Sequence, residues 1–264
     1  MGEKDVFKAR EYKKVRTLDE AYELNQKRSA MVVGGMMWVK MANFHKMTII
    51  DLSGLGLDKI EETEDEFRIG CMCTLRDLEL HEGLNRAYGN MMKECTKHIV
   101  GVQFRNGATV GGSVFGRFGF SDILTAFLAL DSYVELHRGG VVALKDFVNM
   151  PRDNDILVRV ILKKDGRTCA YGSQRRTQTD FPLIAAAVSK LGDQWFISVG
   201  ARPAKAEQVV IRETGDRSAM IAEAVSQYRF GTNLRGSGEY RQALAGIYIR
   251  RLMEQIDKVE EKAE

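Results

Sequence analysis

The sequence lacks most of the features by which a function is usually recognised. No apolar run approaches the ~18 residues of a membrane-spanning helix; the longest, 31–39 and 181–189, are about half that. The opening MGEKDVFKAREYKK carries charge with no apolar stretch behind it, so no secretory signal is expected and the expected compartment is the cytoplasm. The 4 cysteines, Cys71, Cys73, Cys95 and Cys169, form no C-x-x-C pair, which speaks against a metal or iron–sulfur centre and for reduced structural thiols. The 4 histidines, His45, His81, His98 and His137, lack H-x-x-x-H spacing, so metal ligation is not expected. A net charge of +3, with the signs interspersed, argues against nucleic acid as the main partner. Neither G-x-G-x-x-G nor a P-loop is present, and no acid–base pair or nucleophile stands out.

Glycine is plentiful instead: 25 residues against 3 prolines in 264, without low complexity. Glycines inside ordered sequence mark tight turns or close backbone approach to a ligand. Thr17–Glu20 has the spacing of a capping box and predicts a helix over 18–27. Short apolar runs predict strands at 31–33, 48–52 and 67–71, a second capped helix follows Thr74, and 84–98 reads as one longer helix. Residues 107–113 break the pattern before an apolar helix at 121–130. A hairpin is expected around Arg138-Gly139-Gly140, then a strand at 155–162. Beyond Asp165-Gly166, strands at 167–176, 181–191 and 194–199 read as antiparallel, with Gly192-Asp193 as a turn, and Phe181-Pro182 reads as the start of an edge strand. A long helix from about Glu239, apolar through Leu244, Ile247 and Leu252, ends in the charged VEEKAE, and Tyr240-Arg241 is expected to pin it. The boundary falls near 163–166: two α/β segments (1–54 and 55–163), then a sheet-plus-helix unit (164–264), an α+β class overall.

Two glycine constellations could carry chemistry. In Met31-Val32-Val33-Gly34-Gly35-Met36-Met37-Trp38 a strand stops at paired glycines, which makes either a plain turn or a nest of amides for an anion. In Arg105–Ser113 a second nest, with hydroxyls at Thr109, Ser113 and Ser121, precedes Asp122 at a helix start. Asp122 is a helix cap, a carboxylate for a polyol or ribose hydroxyl, or both. Two nests 75 residues apart suggest one extended ligand with a pyrophosphate, a dinucleotide held without the Rossmann fingerprint.

The run RNGATVGGSVFGRFGFSDILTAFLALDSYVEL resembles the second flavin motif of the FAD-binding subunits of molybdenum hydroxylases, of the xanthine dehydrogenase and carbon monoxide dehydrogenase type. VVGGMMWVKM resembles their first motif, IIDLSGLG with IEETEDEFRIGCMCTLRDLE the stretch after it, and GSGEYRQALAGIYIRRLMEQ the last helix. The likeness runs from about 5 to 255 and is most similar to the small flavin subunits of bacterial purine-type dehydrogenases. It implies a PCMH-type FAD-binding fold of two α/β subdomains followed by a C-terminal antiparallel sheet-plus-helix subdomain. It implies FAD contacts at Met31, Val32 and, mainly by backbone, at Val33, Gly34, Gly35, Met36, Met37 and Trp38. Thr109, Gly111, Gly112, Ser113, Gly116, Ser121 and Asp122 would hold the pyrophosphate and ribityl chain. Ile99 would pack near the flavin ring, Leu157 would offer a backbone group to its polar edge, and Gln174 lies near a place often held by Lys.

The departures are Met36, where Thr, Ser or His is common, Ser113 in place of Asn, Phe118-Gly119-Phe120 in place of a Ser-Pro turn, and Gln174. Methionine at 36 forbids a histidyl–flavin bond there, so the FAD is expected to be non-covalent. The implied role is electron transfer from the iron–sulfur (2Fe-2S) clusters of one partner subunit, fed by a molybdenum-cofactor subunit, through FAD to NAD⁺. The rivals are a stand-alone flavin reductase of the same superfamily and a scaffold subunit whose flavin site has decayed. The methionines at 31, 36, 37, 41 and 47 read as adaptable packing rather than a metal box, and Arg175-Arg176 as a surface pair, the alternative being a place near the nicotinamide nucleotide's phosphates.

Overall fold

The structure, a computed structural model, describes residues 7–43 and 45–262. The charged first six residues and the end of the acidic tail lie outside the described residues. The first sheet is built from β1 (Lys8–Lys14), β2 (Ala30–Val33) and β3 (His45–Asp51) in the order β1-β3-β2, all parallel, with α1 (Leu18–Asn25) crossing between β1 and β2. Thr17 caps α1 by accepting from the Glu20 amide, but the Glu20 carboxylate accepts from the Arg16 amide and not from its own cap. β1 was not expected. KAREYKK shows no apolar alternation and every side chain is exposed, so the strand exists through its ladder to β3.

The second sheet, order β4-β5-β8-β6-β7, is antiparallel throughout. It comprises β4 (Ile60–Glu62), β5 (Glu66–Gly70), β6 (Ser132–Leu136), β7 (Gly140–Ala143) and β8 (Leu157–Lys163). Its helices are α2 (Leu75–Leu80), α3 (Glu82–Ala87), α4 (Met91–Thr96), α5 (Val102–Arg105), α6 (Val110–Phe115), α7 (Asp122–Leu128) and α8 (Leu144–Phe147). The single helix expected over 84–98 is two, because Gly89 (φ 56°) and Asn90 (φ 64°) are left-handed and interrupt the ladder. At Thr74 the capping box is complete with Asp77.

The third sheet, order β12-β11-β10-β9, holds β9 (Thr168–Gln174), β10 (Ile184–Leu191), β11 (Gln194–Gly200) and β12 (Glu207–Arg212), followed by α9 (Arg217–Ser226) and α10 (Gly238–Glu260). The Gly192-Asp193 hairpin is as expected. Phe181-Pro182 precedes the strand, and β10 is central, so the edge-strand reading fails. Period-2 alternation serves two cores. Tyr171, Ala185 and Ala187 join the core of the first two sheets, while Ala170, Ile184, Ala186 and Val188 lie under α9 and α10. α10 buries Leu244, Leu252 and Ile256 but leaves Ile247 exposed, against expectation. Arg241, fully buried, pins this helix by donating to the carbonyls of Leu183, Gly231 and Gly236; Tyr240 is half exposed and takes no part.

Candidate functional site

The second glycine stretch is the end of a turn and the first turn of α6, where an interruption was expected. The Val110 and Gly111 amides donate to the carbonyls of Cys73 and Cys71, and the Leu75 amide donates to Ala108. Thr109 caps the helix by accepting from Gly112 at 3.2 Å. Gly111 must stay small, since a Cβ there would lie 2.6 Å from the Cys71 carbonyl oxygen.

The first glycine stretch meets this one directly. A Cβ on Gly34 would sit 2.3 Å from Thr109 Oγ1, and one on Gly35 only 1.4 Å from the Gly107 carbonyl oxygen. No residue with a side chain fits at 35 without moving the backbone. The chain then turns through Met36 at φ 55°, a left-handed conformation that costs a non-glycine residue about 1 kcal/mol. Through this turn the amides of Gly35, Met36, Met37 and Trp38 donate to no acceptor among the described residues.

Between the two stretches lies a cavity of about 230 Å³. Of the expected residues it is lined by Gly34 through Trp38, Ile99, Thr109, Gly112, Ser113, Ser121 and Asp122. Seven others do not line it. Met31, Val32 and Val33 form β2, which delivers the turn. Gly111 packs on Cys71, and Gly116 ends α6 beneath the Phe118 ring. Leu157 pairs with Leu136 inside the second sheet. Gln174 ends β9, its amide oxygen accepting from Tyr248 at 2.9 Å.

Asp122 is not a cap: Ser121 accepts from the Leu124 amide and starts α7. The Asp122 carboxylate is buried, and its Oδ1 accepts from Arg175 Nη2 at 2.5 Å and from the Tyr171 hydroxyl. Both of these bonds end on Oδ1, and no other described residue donates to Oδ2 of this cavity-lining residue. Burial pushes the Asp122 carboxyl up, against the pull of Arg175 and Tyr171. Burial also works against charge on Arg175, but Asp122 and Tyr171 outweigh it and raise that group. The surface-pair reading therefore fails for Arg175, whose side chain is buried in this pair, and holds for exposed Arg176. The serine hydroxyls serve the chain first, Ser113 donating to the Thr109 carbonyl and Ser121 to the Ser113 carbonyl.

An aromatic wall went unnoticed in the sequence. Trp38 stacks on Phe181 with centroids 5.2 Å apart and meets Phe104 at 5.2 Å; Phe120 touches Phe181 at 4.4 Å and stacks on Phe118 at 5.3 Å. These rings come from four separate stretches of sequence, so no local pattern joins them. Of the methionines, Met36 and Met37 line the cavity, while Met41 and Met47 are exposed.

The residues present fit a flavin dinucleotide. Free amides suit a diphosphate, the open oxygen of Asp122 suits a sugar or ribityl hydroxyl, and the apolar and aromatic walls suit a heteroaromatic ring.

Residues 7–164 match the family model of the FAD binding domain in molybdopterin dehydrogenase. The chain is 27% identical to the medium subunit of nicotine 6-hydroxylase from Paenarthrobacter nicotinovorans, over 77% of this chain and 80% of that one. It is likewise 27% identical to YgfM of Escherichia coli K12, itself uncharacterized, over 83% of each. In fold it is similar to a chain of carbon monoxide dehydrogenase from Hydrogenophaga pseudoflava, with a TM-score of 0.82 over 93% of this chain and 96% of the other, at 21% identity.

Proposed function

The chain belongs to the family of FAD-binding domains of molybdopterin dehydrogenases, and on that footing we propose that it is the flavin-carrying electron-transfer subunit of a purine- or xanthine-dehydrogenase-like complex. FAD bound here would supply the redox chemistry, exchanging electrons singly with the iron–sulfur clusters of a partner subunit, fed from a molybdenum centre on another, and in pairs with NAD⁺. The chain's own part is to bind, orient and exclude water. In this reading residues 1–163 hold the cofactor, and 164–264 reach it through Arg175 and Phe181.

The amides of Gly35 through Trp38 take the diphosphate without bringing a charge of their own, and Gly112, whose amide is bonded to Thr109, leaves room for it on the opposite wall. Asp122 accepts a hydroxyl of the ribityl chain or ribose through Oδ2, while Arg175 and Tyr171 fix its other oxygen. Ile99 packs against the ring, and the Trp38–Phe181 wall keeps water from it. With Met36 at the turn, the cofactor is held without a covalent bond. The close approach of Gly35 to the Gly107 carbonyl carries this reading, because it brings two distant glycine stretches onto one cavity.

The purified chain is expected to be yellow and to release one FAD per chain on denaturation. Expressed with the neighbouring genes, it is expected to copurify with an iron–sulfur subunit and to reduce NAD⁺ with hypoxanthine or xanthine. A colourless chain that takes up no FAD defeats the proposal outright; a flavin-loaded chain that donates only to another acceptor removes the NAD⁺ and leaves the flavin.

A further inference from the structure

His98 is a histidine on the cavity wall that neither the glycine motifs nor the family likeness assigns. It follows α4 in a turn that the protein holds tightly. Arg105 Nη1 donates to the carbonyls on either side of it, Lys97 at 3.2 Å and Ile99 at 3.3 Å, and the Ile99 amide donates to Thr96. Two residues on, Val100 has φ 51°, a left-handed conformation that a β-branched residue adopts only where its surroundings compel it. The imidazole is thus presented by a pinned and strained turn.

The two ring nitrogens are not alike. Nδ1 is buried and has no hydrogen-bond partner. Nε2 is not among the buried unpartnered atoms, and no protein group bonds to it among the described residues, although the side chain lines the cavity. A buried N–H without an acceptor is rarer and costlier than a buried lone pair without a donor. The proton of a neutral ring therefore belongs on Nε2, leaving an unpartnered N–H donor on a residue that lines the cavity. Burial, then Lys97 and Arg175, push the imidazole below its usual range, with Glu94 and Asp122 opposing, which keeps the ring neutral.

The cavity wall to which it belongs carries Ile99, Val100, Leu75 and Phe104 as well as the Asp122–Arg175 pair. A neutral donor matches an uncharged heteroaromatic acceptor better than a phosphate, whose charge the open amides of Gly35 through Trp38 already serve, while Arg175 and Asp122 are taken up by each other. We infer that His98 is a cofactor-binding residue that donates from Nε2 to a ring acceptor, a carbonyl oxygen or ring nitrogen, of the flavin. The inference rests on the reading of the cavity as an FAD site, and the test below separates the two.

The full-length chain, stripped of flavin and titrated with FAD and separately with ADP, supplies the measurement. His98→Leu is expected to raise the FAD dissociation constant about tenfold, the worth of one hydrogen bond, and to leave ADP binding unchanged because ADP lacks the flavin ring. His98→Gln, whose amide nitrogen replaces Nε2, is expected to stay within about threefold of wild type. His98→Asn, which replaces Nδ1, is expected to bind as weakly as the leucine variant. The visible absorption of bound flavin, which follows hydrogen bonding to the ring, is expected to shift in the Leu and Asn variants and not in Gln. Wild-type affinity for FAD in His98→Leu overturns the inference, as does an equal loss of FAD and ADP, or rescue by Asn where Gln fails. A wild-type chain that binds FAD in none of these titrations overturns the flavin reading itself.

Discussion

Arg105 closes on Glu79 as a fork, Nε 2.8 Å from one carboxylate oxygen and Nη2 3.1 Å from the other, with both side chains buried. Its remaining nitrogen holds the Lys97 and Ile99 carbonyls, so one guanidinium ties α2 to the turn that carries His98 and Ile99. Arg76, partly exposed, reaches the same carboxylate at 2.8 Å. Glu79→Ala leaves Arg105 charged and buried without its partner, a loss expected to cost about 3–5 kcal/mol. Arg76→Ala removes the outer partner and is expected to cost under about 1 kcal/mol. Urea unfolding of the three proteins checks this. Equal midpoints for the two variants would mean that the fork does not hold the site.

The same carboxylate gives the fold a pH dependence of known sign. Burial pushes Glu79 up, but the hydrogen bonds from Arg105 and Arg76 outweigh it and hold the group below the usual carboxylate range. A depressed folded value adds stability above the unfolded value of about 4.3 and loses it as pH falls through the folded one. The unfolding midpoint is expected to fall on acidification below about pH 4.5. Glu79→Gln should flatten that slope, measured by urea unfolding across pH 3 to 7 at fixed ionic strength.

Two adjacent glycines separate packing from binding. Gly111 faces Cys71, and a Cβ there would lie 2.6 Å from a backbone oxygen. Gly112 faces the cavity, and its Cβ would meet only the Thr109 hydroxyl, at 3.2 Å. Gly111→Ala is therefore expected to destabilise by about 1–3 kcal/mol through overpacking. Gly112→Val is expected to keep the unfolding midpoint within about 1 kcal/mol of wild type, since glycine is itself a poor helix residue, and to lose FAD. Thermal unfolding and flavin content of the purified variants decide it; a fully yellow Gly112→Val would place the diphosphate elsewhere.

What was legible in the sequence was local chemistry. Thr74 with Asp77 and Thr17 before α1 announced their helices, Gly192-Asp193 its hairpin, and the paired glycines their close approach. What was illegible was set across the fold. KAREYKK becomes a strand only because β3 offers a ladder, and residues 110–115 become a helix as the Cys71 and Cys73 carbonyls fix the first amides. The burial of Arg175 follows from Asp122, 53 residues away, which no periodicity encodes. Asp122 itself lost the cap to Ser121 because a hydroxyl one residue earlier reaches the Leu124 amide, freeing the carboxylate for the pair.

The aromatic wall supplies the last test, because its rings meet only in the folded chain. Trp38 is 40% exposed, so removing it uncovers little core, yet it lies against Phe181 and Phe104 along the cavity. Aromatic pairs contribute about 0.5–1.5 kcal/mol beyond the area they bury, which converts to a loss of roughly two- to twelvefold in affinity if the bound ring shares the stack. Trp38→Ala is expected to weaken FAD binding by that factor with little change in thermal midpoint. Trp38→Phe, which keeps a ring against Phe181, is expected to remain within about twofold of wild type. Trp195, the other tryptophan, is fully buried with its Nε1 bonded to Glu213, and so gives a constant emission against which both variants can be normalised before flavin is added. Retention of wild-type affinity in Trp38→Ala would show that the wall closes over the cavity without touching the cofactor.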